Sequence, residues 1–154
     1  MLGRLAEAEE RWREIVRVEP SGESLARLGR VYLWCGAVED GERLLREAMA
    51  RFPDDSSPYF HLGVYLKDEG ELEEAKKLLQ KSVDLDEWAP ALVCLGAVLD
   101  TLEDPQRARR CYERAIVLEP EEPHGRPQVR RSGPRSPESA GDLASLSPLL
   151  LPFG

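Results

Sequence analysis

The chain is poor in the groups that build metal centres, disulfide scaffolds, membrane spans and nucleic-acid surfaces. It has three cysteines, Cys35, Cys94 and Cys111, in 154 residues. They lie far apart, no CxxC occurs, and the only histidines are His61 and His124. Four-ligand zinc sites use closely spaced Cys and His pairs, so no metal is expected and the thiols read as reduced and mostly buried. No apolar run is long: aliphatic stretches such as Leu149-Leu150-Leu151 fall far short of the roughly 20 residues a spanning helix needs. The opening MLGRLAEAEE has no apolar block, which gives the expectation of a chain without a secretory leader, in the cytoplasm. Basic charge is in deficit, 21 residues against 29 acidic, a net of −8. Phosphate backbones and anionic lipid surfaces both bind through Lys and Arg, so neither nucleic acid nor membrane is an expected partner.

The length is that of one ordinary domain, sufficient to bury a core without metals. Composition divides it into a body over 1–120 and a tail over 121–154. Of the tail's 34 residues, 15 are Pro, Gly or Ser, and its charges cancel. Such a segment buries too little apolar area to offset its ordering entropy, so disorder is expected there. It carries short patterns. Arg131 to Pro137 fits the R-x-x-P-x-x-P form that SH3 domains take, and Ser136-Pro137 and Ser147-Pro148 fit proline-directed phosphorylation. A solvated linker accounts for the same residues. Leu143, Leu146, Leu149, Leu150, Leu151 and Phe153 could also fold back on the body.

The body repeats. Leu28-Gly29, Leu62-Gly63 and Leu95-Gly96 recur at spacings of 34 and 33. Gly36 and Gly70 stand seven residues after the first two glycines, where a helix would end, and Glu103 holds that place in the third copy. A second register runs Ala8, Gly41, Ala75, Ala108, followed after four residues by Trp12, Leu45, Leu79 and Tyr112. Pro20, Pro53 and Pro120 close three of the four units. Steps of three, four and seven put residues on one helix face. Small residues let two helices approach and bulky ones fill the gap. The unit is a helical hairpin of about 34 residues, unable to bury its apolar face alone, so neighbours stack. The pattern predicts helices over 5–18, 23–35, 38–51, 57–69, 72–84, 90–102 and 105–118.

The stretch YFHLGVYL with Gly70, Ala75 and Leu79 resembles the tetratricopeptide repeat. So do LARLGRVYLWCG with Gly41, Leu45, Ala48 and Pro53, and LVCLGAVL with Ala108, Tyr112, Ala115 and Pro120. The resemblance implies an all-α, right-handed α-solenoid of about three and a half repeats. Its units are a half repeat over 1–20 and full repeats over 22–55, 56–88 and 89–122. It also implies a protein-interaction module that docks a peptide or helix on the concave side, lined by the first helix of each pair. Projected onto this sequence, the lining is Arg27, Arg30 and Trp34, then Phe60, His61, Val64 and Lys67, then Val93, Ala97 and Asp100. An apolar centre flanked by basic groups suits a partner with apolar anchors and some acidic character. Packing against adjacent helices is the alternative reading of Phe60 and Val93, and solvation that of the arginines.

One branch of the family clamps chaperone C-terminal tails with Lys, Arg and Asn. This sequence has no Asn, and the matching positions hold Ala26, Arg30, His61, Pro90 and Cys94, so such tails are not expected to bind. The ends of the array suggest a further reading. Leu2, Leu5 and Trp12 at one end, and Cys111 and Ile116 at the other, are expected to lack cover. That leaves self-association, docking to another subunit, or a cut or alternatively ended form of a longer array, the last being favoured. No nucleophile–base pairing, nucleotide loop or HExxH motif is present, so neither catalysis nor a cofactor is expected.

Overall fold

A computed structural model of the chain describes residues 2–119. The tail motifs and the expected fold-back of its leucines lie outside them. The described residues form seven α-helices and no strand: α1 Leu2–Val18, α2 Gly22–Trp34, α3 Val38–Arg51, α4 Ser56–Glu69, α5 Leu72–Leu85, α6 Ala89–Thr101 and α7 Pro105–Leu118. α2 pairs with α3, α4 with α5, and α6 with α7; α1 packs on α2, α2 on α4, and α5 on α6. The result is an α-solenoid of stacked hairpins, as the repeat spacing predicts.

Local chemistry sets the ends of the helices. At the start of α2, Ser24 N–H donates to Ser21 Oγ (3.0 Å) and Ser21 N–H to Ser24 Oγ (2.9 Å), a reciprocal cap. Asp55 caps α4 by accepting from Ser57 N–H at 3.0 Å, and Asp104 caps α7 by accepting from Arg107 N–H at 3.2 Å. Pro90 and Pro105 lie in first turns, where the missing N–H costs no intrahelical bond.

The turn inside each hairpin has one geometry three times. Gly36 and Gly70 both have φ +86°, in the left-handed region. The next residue's N–H then reaches back five residues, Ala37 to Tyr32 O (2.9 Å) and Glu71 to Leu66 O (2.9 Å). In the third hairpin the glycine is absent, yet Glu103 takes φ +61° and Asp104 N–H donates to Leu99 O at 2.8 Å. The repeated packing holds a side chain in a backbone conformation that costs roughly 1–2 kcal/mol outside glycine.

The core lies between the helices. Leu25, Leu45, Leu62, Leu79, Leu95 and Leu99 are all under 2% exposed. Each contributes on the order of 1.5–3 kcal/mol by leaving water. The helix pairs touch where the glycine register predicts: a Cβ built on Gly29 would stand 2.8 Å from Leu45 Cγ, and one on Gly96 2.7 Å from Tyr112 Cε1. Ser82 occupies the place of Ala48 and Ala115, is fully buried, and donates to Ser56 O at 3.1 Å. One expectation about the ends is corrected. Leu5 is buried rather than uncovered, because α1 lays it against the array. Ile116 is open, at 63% exposed, while Trp12 and Cys111 are part-buried. Leu2 lies outside the described side chains.

Candidate docking site

α2, α4 and α6 are the first helices of their pairs, and α4 touches both α2 and α6. The strip they form carries the ten residues expected from the sequence. At its α2 end Arg27 is part-buried and committed. Its Nη2 meets Glu23 at 2.7 Å, and its guanidinium carbon lies 5.4 Å from the centre of the Trp12 ring on α1.

Arg30 lies one turn further along α2 and behaves differently. Its guanidinium carbon stands 5.0 Å from the centre of the Trp34 ring, a cation–π contact. Its Nε is buried with no hydrogen-bond partner, and no carboxylate pairs with it among the described residues. Burial first, and the charge of Arg27 second, bring its pKa down to about 10, so it remains a cation at neutral pH. Trp34 is 39% exposed.

On α4, His61 responds to the same two arginines. Burial, then Arg30 and Arg27, hold its imidazole well below the usual histidine range, so it is neutral. Phe60 meets His61 edge-on at 5.2 Å between ring centres and Trp88 at 4.7 Å. Trp88, in the connection before α6, has a buried Nε1 that also lacks a partner. Val64 is part-buried against the core. Lys67 Nζ pairs with Asp68 at 2.6 Å.

The α6 residues are less united. Ala97 is part-buried, and its carbonyl accepts from Thr101 Oγ1 at 2.9 Å. Asp100 turns to its own hairpin, where Tyr112 Oη donates to Oδ2 at 3.1 Å. Val93 is 46% exposed and borders a second surface. There Pro90, Val93, Cys94, Tyr112 and Ile116 line a cleft of about 870 Å³ at the α6–α7 end of the stack. The structure thus brings Arg27, Arg30, Trp34, Phe60 and His61 into one basic and aromatic corner. It sets Val93 and Asp100 toward the end of the array. Basic groups also gather on the second-helix side, where Lys76, Lys77, Lys81 and Arg107 border a smaller depression.

Sequence reasoning missed Trp88 and the part Trp12 plays beside Arg27. Trp88 lies in a connection outside the repeat register, so no periodicity marks it. Trp12 was legible as a gap-filling residue, but its contact with Arg27 across α1 and α2 was not. Among the described residues no group of three or more His, Cys, Asp or Glu could hold a metal ion, and no helix is long and apolar enough to cross a membrane.

Comparison with known proteins agrees with the repeat fold. Residues 56–87 match the family model of the tetratricopeptide repeat. The solved structure of MamA superposes with a TM-score of 0.63 at 25% identity, covering 77% of this chain and 70% of that one. TTC0263, a thermophilic TPR protein of Thermus thermophilus, gives 0.63 at 24% identity, covering 78% and 69%. Protein high chlorophyll fluorescent 107 of Arabidopsis thaliana is 28% identical over 83 residues; these are 53% of this chain and only 13% of that protein's length.

Proposed function

We propose, for a chain that belongs to the tetratricopeptide repeat family, a role as a protein-interaction scaffold that docks a peptide or helix along the α2–α4–α6 strip. The observation that carries this reading is the corner of Arg30, Trp34, His61 and Phe60. Arg30 Nε is a buried donor without an acceptor, which is costly to leave unsatisfied, and the rings of Trp34 and Phe60 lie in the same corner. They suit a segment that brings both apolar anchors and a negative charge. The acidic excess of the body makes an unpaired arginine on this face more telling, because carboxylates are abundant elsewhere on the array. Binding, not catalysis, is the reading these residues support, and the partner class is protein rather than nucleic acid, membrane or chaperone tail.

A second reading rests on the cleft at the α6–α7 end, where Ile116 is 63% exposed: copies of the chain meet through their ends. Val93 borders both surfaces, so its substitution does not separate them. Phe60→Ala with Arg30→Gln alters the strip alone, and Ile116→Glu alters the end alone. A partner captured by the wild type should be lost with the first pair and kept with the second. If Ile116→Glu alone abolishes capture, or converts a dimer to a monomer without touching the strip, the end makes the contact and the groove reading fails.

A further inference from the structure

We propose that Arg30 is the seat for a single side-chain carboxylate of the docked segment, an internal Asp or Glu set among apolar residues. The inference rests on the groove reading and specifies its chemistry. Its starting point is a guanidinium without an acceptor: Nε is enclosed with no partner and no carboxylate pairs with the group among the described residues, so a docked acid would meet its outer Nη edge. Arg27, Arg43, Arg46, Arg51, Arg109 and Arg114 each have a carboxylate at 3.1 Å or less, so pairing is this array's habit.

Local charge fixes the ligand's valence. Glu23 neutralises Arg27, Asp68 neutralises Lys67, and His61 is uncharged. With Asp100 turned to Tyr112 in the last hairpin, the α2–α4 part of the strip therefore presents one uncompensated positive charge, at Arg30, which one monoanion balances. Geometry favours a carboxylate. A guanidinium is a planar fork that meets two carboxylate oxygens at once, and the Trp34 ring already holds Arg30 in place. Less ordering is then left for binding to bring about. Phe60 and Val64 lie on the adjoining helix and offer apolar contact to the residues beside the acid.

The test uses the full chain and an array of acetylated, amidated dodecapeptides in which Glu is walked through a background of Leu, Phe, Ala and Ser. Blocked ends leave the Glu side chain as the sole carboxylate. Affinities of the strongest binder and its Glu→Gln form are measured by fluorescence anisotropy against wild type, Arg30→Gln and Arg30→Lys. The expected result is a loss of roughly tenfold or more for the Gln peptide on wild type, shrinking to less than about twofold on Arg30→Gln. Arg30→Lys keeps the charge without the fork and should fall between. Equal affinity of the Glu and Gln peptides for wild type overturns the carboxylate seat while leaving groove docking intact. Binding by no peptide overturns both. The wild-type comparison needs no variant to fold, and thermal melts check the variants.

Discussion

Gly63 and Leu79 occupy one space: a Cβ placed on Gly63 would lie 2.8 Å from Cγ of Leu79, a side chain with no exposed surface. The glycine sets how closely α4 and α5 approach, and the leucine fills what remains. Because Leu79 is walled in by the core, it cannot swing away. Gly63→Ala should therefore destabilise the array by about 1–3 kcal/mol, despite the better helix propensity of alanine. Urea denaturation checks this; an unchanged midpoint would show that the pair can spread freely.

Glu103 holds a backbone angle that Gly36 and Gly70 hold without strain. Glu103→Gly should relieve that strain, partly offset by the greater freedom of glycine in the unfolded chain, with a net gain of about 1 kcal/mol. A rise in melting temperature with unchanged helicity is the expected reading. Gly70→Ala should move stability the other way by a similar amount.

His61 ties stability to pH. Its imidazole is kept neutral by burial and by Arg30 and Arg27, so its folded pKa lies well below the ordinary 6.5. The unfolded chain takes up the proton first. Stability is thus fully present above pH 6.5 and falls as pH drops through that value toward the folded pKa, by at most about 1.4 kcal/mol per pH unit. His61→Gln should flatten the profile between pH 5 and 6.5, a window above the ordinary carboxylate range. Equal slopes for wild type and variant in urea melts would remove His61 from the account.

Much of the architecture was legible because repetition multiplies weak signals. One Leu-Gly pair says little; three at spacings of 34 and 33, each followed by a helix stop, define a hairpin array. Six of the seven predicted helices agree with the structure to within a residue at each end, and α1 begins three residues early at Leu2. What the sequence withheld concerns side-chain direction. The family resemblance implied one face for Arg27, Arg30 and Asp100, but not the Glu23 pairing of the first, the Trp34 stacking of the second or the Tyr112 hydrogen bond of the third. Those outcomes depend on neighbours 4 to 12 residues away whose rotamers no spacing fixes. Glu103 likewise shows packing overriding the glycine preference of a turn.

Whether a partner segment lies along the first helices can be read by nuclear magnetic resonance. Isotope-labelled chain is titrated with the strongest blocked dodecapeptide, and the shifted amide and arginine Nε–Hε signals are assigned. Shifts should concentrate at Arg30, Trp34, Phe60, His61 and Val64, with the Arg30 guanidinium signal moving most. Shifts confined to Tyr112, Ile116 and their neighbours at the end of the stack, with the first-helix strip unmoved, would contradict groove docking.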